Sequence, residues 1–471
     1  MGRGTSRRKL LLQGGSILAL MAAGSVALEN AGELEREGVR FQQASNPNRP
    51  NNVAHGPPGE RRPIEVSEQS VPTPDGEHEK WVYNDEFPVP TIRVPAGSNF
   101  EATVQNDLDR PTTVHWHGVP VPNEMDGVPN VTQEPIQPGD SDSYHYRAEP
   151  AGTYLYHSHV GVQSDWALMG PLIFEEQNPH ADYDGEFVVL LNDFRVKQPD
   201  NANAQFPSMP DYRSLNVNGH AREDPATFDV AGGSRYRFRI LNGSGATTYN
   251  VSLAGHEMQV AWTDGRPVEP EPVESFDIGV AERYDVIVEA DNDGKWELQA
   301  APVNGDDIGN PMPGRAVVQY NGHEDETLQT VHETGGNGKH LAYQDLSAVE
   351  PYDGISGSPD RTYRLELSRG PKQGSWAIND QIYPDADPLE VESGEHVRFR
   401  MHNTSDMYHP MHLHGHFFEV QGVTMDTVLV PPHSERTIDF YTDNPGDWFF
   451  HCHIDYHRES GMARVVEYRD A

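Results

Sequence analysis

His451-Cys452-His453-Ile454-Asp455-Tyr456-His457-Arg458-Glu459-Ser460-Gly461-Met462 holds the only cysteine of a 471-residue chain, together with three histidines and a methionine. In an extended strand successive side chains point to opposite faces, so His451 and His453 face one way and Cys452 the other. One strand can therefore serve two metal centres. A thiolate with imidazoles and a weak methionine is the ligand set of an electron-transfer copper site, and His457 and Met462 follow where the chain can fold back to complete it. The bland alternative is a buried thiol among unrelated histidines, and the rest of the histidine distribution argues against it.

Three further clusters stand out. His115-Trp116-His117-Gly118 and His157-Ser158-His159 are pairs at i, i+2, whose imidazoles share a face on a strand. His409-Pro410-Met411-His412-Leu413-His414-Gly415-His416 carries four more. Within it His412 and His414 face together, whereas His409 falls on the opposite side, the side of Cys452. Parity thus sorts the ligands into an eight-imidazole cage of His115, His117, His157, His159, His412, His414, His451 and His453, and a separate mononuclear set of His409, Cys452, His457 and Met462. Imidazoles without a thiolate can hold several coppers and leave positions open for oxygen. His416 has the parity of the cage but exceeds it, and is expected to support a ligand. The isolated His220 and His256 are expected to be ordinary polar residues.

Outside these clusters the chain reads as all-β. Short β-prone runs recur between turn signals: Trp81-Val82-Tyr83, Thr91 to Val94, Phe100 to Val104, Ser143 to Tyr146 and Gly152 to Tyr156. Pro95-Ala96-Gly97 before the third of these has echoes in Ala231-Gly232-Gly233 before Arg235 to Ile240 and in Glu392-Ser393-Gly394 before His396 to Arg400, which suggests three related domains. Phe187 to Leu191 and Thr362 to Leu367 would open the second and third, and the polar, Gly-rich stretch between 324 and 360 would connect them. The expected boundaries are 64–180, 181–345 and 346–471, preceded by a polar linker over 29–63. Ser6-Arg7-Arg8-Lys9-Leu10-Leu11, followed by an apolar run to Leu28, predicts a twin-arginine export signal over 1–28, the kind that exports a chain already folded. No other stretch approaches 18 apolar residues, so the mature protein is expected to be soluble and extracytoplasmic, without membrane insertion. A monomer is expected, although nothing in the sequence reports the oligomeric state. The sequons at Asn130, Asn242, Asn250 and Asn403 are short patterns that recur by chance.

Asp and Glu number 73 against 35 Lys and Arg, a net charge of -38. Such a surface repels nucleic acid and anionic lipid and excludes both as partners. It suits high salt, as in proteins of halophiles, where screening relieves the self-repulsion. A single cysteine forms no intrachain disulfide, so stability must come from packing and from bound metal.

The four histidine motifs together resemble those of three-domain multicopper oxidases of the laccase type, and the resemblance extends over nearly the whole chain from about residue 70. Weaker echoes are Leu215 to Gly219, Arg239 to Asn242, Asp264 to Val268 and Glu282 to Val286. The resemblance implies three cupredoxin-like Greek-key β-sandwich domains and four copper ions. A type 1 copper would sit on His409, Cys452, His457 and axial Met462, and a type 2 copper on His115 and His412. A type 3 pair would sit on His117, His157 and His453 and on His159, His414 and His451. It further implies one-electron oxidation of small reducing substrates, phenols or aromatic amines, coupled through Cys452 to four-electron reduction of dioxygen. Asp126 and Asp455 match acids that supply protons in the family. Many bacterial relatives carry another acid directly after the type 1 histidine, where this chain has Arg458. A metal-ion oxidase for Cu(I) or Fe(II) is the main rival, but the methionine-rich insert common in copper-tolerance oxidases is missing. A copper-binding protein without turnover has no use for two kinds of site, and a copper nitrite reductase has no use for doubled His-x-His motifs.

Overall fold

Three strands preceded by a glycine turn, Asn99–Asn106, Arg235–Asn242 and His396–Asn403, occupy the same place in three successive pairs of sheets. Each pairs in parallel with the long strand that opens its pair of sheets, Arg61–Thr73, Gly185–Phe194 and Arg361–Arg369 respectively. Gly97, Gly233 and Gly394, in the turns before them, have φ of 83°, 78° and 85°, a region that glycine enters without steric cost. The computed structural model describes residues 61–73, 76–195, 207–334 and 338–469. The export signal and nearly all of the linker read from the sequence lie outside the described residues, and the first strand begins at Arg61, just inside the stretch read as linker.

The second and third pairs match strand for strand. The six-stranded sheet of the second runs Ser214–Val217, Gly185–Phe194, Arg235–Asn242, Arg283–Glu289, Met258–Thr263, Arg266–Val273. That of the third runs Trp376–Ile378, Arg361–Arg369, His396–Asn403, Glu435–Tyr441, Phe418–Val420, Val423–Met425. Their five-stranded partners correspond in the same way. The first pair keeps the connectivity but has two four-stranded sheets. These are three cupredoxin-like β-sandwiches.

This correspondence explains the histidine distribution. His115–His117 pairs with Gly152–His157 in the first sandwich, and His409–Leu413 pairs with Asp447–Cys452 in the third, at equivalent positions in the fold. The equivalent pair in the second sandwich, Tyr249–Leu253 against Lys295–Pro302, carries no histidine. Solvent-facing strands such as Asn99–Asn106 alternate buried and part-buried residues, as a half-wet sheet should. The ligand-bearing strands His115–His117, Gly152–His157 and His409–Leu413 are buried at every residue.

Each glycine-led strand ends in a buried asparagine. The Asn106 amide donates to the carbonyls of Arg110 and Ile136, and its Oδ1 accepts the Leu108 N–H. Asn242 does the same with Thr247, Ile278 and Ser244, and Asn403 with Met407, Val430, Pro431 and Ser405. In all three, Oδ1 accepts the N–H two residues on and the amide reaches a carbonyl four or five residues on, because the strand end must be tied to the loop that follows it, and a fixed amide satisfies carbonyls that water cannot reach. Asn242 and Asn403 are thus internal staples, with 0% exposure, and not glycan acceptors.

Candidate metal centres

Trp116 fixes the direction of the first histidine pair. Its indole lies in the first-sandwich core, 4.9 Å from Phe100 and 5.5 Å from Tyr146 between ring centroids, so its neighbours His115 and His117 are turned the other way. Burying such a ring contributes about 2–3 kcal/mol, enough to hold the strand's facing against a one-residue slip. On the last ligand strand the strand proper ends at Cys452, and the chain then turns into a short helix, Asp455–Glu459, which brings His457 back over the cysteine.

The mononuclear set forms a triangle. His409 Nδ1 and His457 Nδ1 are 3.1 Å apart, and Cys452 Sγ lies 3.6 and 3.5 Å from them. The centre of a triangle of that size is about 2 Å from every corner, the length of a metal–imidazole bond. Met462 is fully buried beside it, its N–H donating to the His457 carbonyl and its carbonyl accepting the Cys452 N–H. Ser405 Oγ, 2.9 Å from His409 Nε2, holds that ring from behind.

Across the interface of the first and third sandwiches, the eight remaining histidines form three groups, the first two sharing His117: His115, His117 and His412; His117, His157 and His453; and His159, His414 and His451. Within each group the candidate ligand atoms lie within 4.8 Å of one another. His451 Nε2 is 3.3 Å from His159 Nε2 and 3.0 Å from His414 Nε2, and His453 Nε2 is 3.3 Å from His157 Nε2. On several rings the other nitrogen donates to a protein oxygen: His115 Nδ1 to the Asp126 carbonyl, His412 Nδ1 to the Asp426 carbonyl, His157 Nδ1 to Ser158 and His451 Nδ1 to Cys452. His115 Nε2, His412 Nε2 and His117 Nδ1 are buried without a partner. Orphaned lone pairs converging in this way are what a metal satisfies, and tying the far nitrogen is how proteins fix a ligating tautomer. Burial, the largest cause, holds His117, His157, His159, His414, His451 and His453 well below the ordinary imidazole range, so these six rings are neutral and their lone pairs are available. Burial likewise drives the Cys452 thiol up, a cost that a bound cation reverses by taking the thiolate.

Asp126 ends the short 3-10 turn Asn123–Met125, and its carboxylate lies 3.0 Å from His414 Nδ1. A Cβ on the following Gly127 would come 2.0 Å from the Val114 carbonyl, so the turn can close only with glycine there. Asp455 is buried, with Oδ2 accepting from Ser164 Oγ at 2.5 Å and from the Asp165 N–H at 3.1 Å, and with Arg458 Nη2 3.1 Å from Oδ1. Burial pushes its carboxyl up to about 7, against the opposing pull of Arg458. Arg458, the departure noted in the sequence, therefore pairs with the remaining acid. His416 joins none of the metal groups; its Nδ1 donates to the His414 carbonyl and its Nε2 meets the Tyr468 hydroxyl. His220 and His256 are likewise absent from the metal groups.

Three residues that hold the site escaped the sequence: Asp426, Arg283 and Asp264. Asp426 Oδ1 is 3.0 Å from His117 Nε2, and Arg283 of the second sandwich grips both oxygens of Asp426 at 2.8 and 2.6 Å. Asp264 Oδ2 accepts the N–H groups of Asp426 and Thr427. The ligand-free middle sandwich thus holds a cage ligand of the first through an acid of the third. Gly118 is required here, because a Cβ would meet Asp426 Oδ2 at 2.4 Å. The only signal was that Arg283 and Asp264 lie in the weaker motif echoes.

Comparison with known proteins follows the same lines. Family models described as "Multicopper oxidase" match residues 65–179, 185–323 and 358–471. The chain is 31% identical over 429 residues to the multicopper oxidase MmcO of Mycobacterium tuberculosis, with 82% of each chain covered. It is 30% identical over 444 residues to laccase-4 of Trametes villosa, covering 81% of this chain and 84% of that one. Among solved structures, that of Fet3p, a multicopper oxidase that functions in iron import, superposes with a TM-score of 0.79 at 24% identity, covering 87% of this chain and 90% of the other.

Proposed function

Because the chain belongs to the multicopper oxidase family, we propose that it is a laccase-like enzyme, taking single electrons from phenols or aromatic amines and reducing dioxygen to water with four of them. The observation that carries this reading is that Cys452 lies in one ligand triangle while its neighbours His451 and His453 reach into the other cluster, so one strand joins both centres. The donor sets support a type 1 copper that would be held by His409, Cys452 and His457, with Met462 the candidate for a further ligand, a type 2 copper that would be held by His115 and His412, and a type 3 pair that would be held by His117, His157, His453 and by His159, His414, His451. Bound there, copper supplies one-electron acceptance at the mononuclear site and multi-electron reduction of dioxygen in the cage.

The chain's own part is to hold ligands and move protons. Burial keeps His414 and His117 neutral, and Asp126 and Asp426 fix them by the nitrogen opposite the cage. Asp455, with a carboxyl near neutrality and a hydroxyl at Oδ2, is suited to hand protons toward the cage, with Asp126 as the second acid. We place the protein outside the cytoplasm on the strength of its predicted export signal. Among the described residues no helix is long and apolar enough to cross a membrane.

A second reading, a metal-ion oxidase, is favoured by one observation. Asp307 and Asp406 act electrostatically on Arg369, which in turn acts on His409 of the mononuclear triangle, so acids stand within charge range of that site and would attract cations. Oxygen uptake with a phenol, with Fe(II) and with Cu(I), compared in high salt, separates the two. Turnover of the metal ions alone would replace the first reading with the second.

A further inference from the structure

Lys80, in the strand Gly76–Tyr83, is 1% exposed, and among the described residues its Nζ has no hydrogen-bond partner and no ion pair. Rings face the amine instead: the Trp166 centroid at 3.7 Å, from the loop after the second histidine pair, and the Phe194 centroid at 4.4 Å, from the second sandwich. Two ring faces hold a cation in place without taking up its protons. Burial pushes the amine from 10.5 down to about 7, helped by Arg195 and opposed by Asp165 and Asp193, the charged groups that face it.

The amine borders a cavity between the first and second sandwiches, lined also by Ser164, Asp165 and Asp193, with the part-exposed Phe87 and the exposed Pro88 at its rim. The space is polar and wide enough for water. Its two acids are fully engaged. Asp165 accepts the hydroxyls of Tyr212 and Tyr456 at 2.7 and 2.5 Å and pairs with Arg195 at 3.2 Å. Asp193 accepts the N–H groups of Gly245, Ala246 and Thr247 and the Thr247 hydroxyl. Ser164 reaches further, because its hydroxyl donates to Asp455 Oδ2 at 2.5 Å. The wall is tied to Asp455 a second time, since Gly245, which donates to Asp193, accepts the Asp455 N–H at 3.0 Å. The uncommitted amine and the hydroxyl bonded to Asp455 thus line one cavity.

We propose that protons for dioxygen reduction enter at this cavity, where Lys80 collects them from solvent and Ser164 hands them on to Asp455. The inference rests on the proposed role of Asp455 and extends it outward. In each transfer the Lys80 ammonium gives one proton to cavity water, and water gives one to Ser164 Oγ as Ser164 passes its own to Asp455 Oδ2. Solvent then restores the amine proton, so four passages serve one dioxygen. Lys80 touches neither dioxygen nor metal and acts only through Ser164. An amine paired with an acid would hold its proton too firmly for this task, which gives the missing ion pair a purpose.

The test uses copper-loaded protein and the variants Lys80→Met, which keeps an apolar stem between the rings, and Lys80→Arg, which keeps the cation but does not release its proton. The chain has six lysines, and their side-chain carbon signals are followed with pH in fully reduced, anaerobic, 13C-lysine-labelled protein. One should titrate near pH 7 and be missing from Lys80→Arg. No lysine titrating below about pH 9 would overturn the proposal whether or not the variants fold. In stopped-flow, reoxidation of the reduced wild type by dioxygen should fall as pH rises through 7. Both variants should lose that break and run about tenfold slower at about pH 6, with bleaching of the blue band by a phenol unchanged. Wild-type reoxidation in Lys80→Met, or its recovery in Lys80→Arg, would leave the amine a purely structural part and overturn the route. Failure of the Asp455 reading shows separately, as unchanged reoxidation in Asp455→Asn.

Discussion

Asn403→Ala should weaken the third sandwich and the blue site together. The wild-type amide donates to the carbonyls of Met407, Pro431 and Val430 at 2.7, 2.9 and 3.2 Å, and Oδ1 accepts the N–H and hydroxyl of Ser405 at 2.9 and 2.8 Å. Truncation leaves buried carbonyls unpaired, at about 1–3 kcal/mol for each one that water does not reach. With water recovering part of the loss, the expected destabilisation is about 3 kcal/mol. The second effect comes through Ser405, whose hydroxyl holds His409 Nε2. Once freed, that ring should broaden and shift the thiolate-to-copper band. Asn106→Ala is the control: it removes the equivalent staple from the first sandwich, which lends no residue to the mononuclear triangle. Denaturant unfolding of both variants, read beside their visible spectra, checks the argument. A loss below about 0.5 kcal/mol in Asn403→Ala, or an equal spectral change in Asn106→Ala, would refute it.

Other outcomes follow from the same geometry. Cys452→Ser should abolish the blue absorption and oxidase activity yet keep most of the cage copper, measured by metal analysis and electron paramagnetic resonance, whereas His157→Ala should stay blue and cease oxygen uptake. Asp126→Asn and Asp455→Asn should slow reoxidation by dioxygen in stopped-flow while leaving reduction of the blue site nearly intact; unchanged reoxidation in both would assign the proton path elsewhere. Glu282 is buried between the second and third sandwiches, and burial, opposed by bonds from Tyr343, Gly279 and Leu429, pushes its carboxyl from 4.5 up to about 7. A carboxyl raised on folding lends stability that is complete below its unfolded value and is lost as pH climbs through the folded one. Glu282→Gln should therefore gain on wild type between pH 4.5 and 7, by up to about 3 kcal/mol, in unfolding midpoints taken at several pH values.

Ligand parity was legible in the sequence because a strand has a period of two whatever surrounds it, and every imidazole of the cage shares the side that its position in the motif dictates. The threefold repeat was legible only faintly. The turn glycines survive in all three copies, but the identity of the sandwiches lies in strand order, which side-chain letters do not record. Asn242 and Asn403 spell a surface modification signal and are buried, because the same amide serves either purpose and only burial decides. Arg283 and Asp426 were invisible as a pair: their contact joins two different sandwiches, and nothing near either residue announces the other.

The cage joins a strand at 115–117 to the end of another at 451–453, whereas every ligand of the mononuclear triangle falls within 409–462. This spacing sets an order in time. While the chain is being made, the first sandwich can finish early and display His115, His117, His157 and His159 with no counterpart to meet them. An ion arriving then finds two chelating pairs on an open surface and the wrong partners. An ion arriving after the last strand has docked finds both centres complete, so copper delivery belongs at the end of folding, when the final fifty or so residues have closed the molecule.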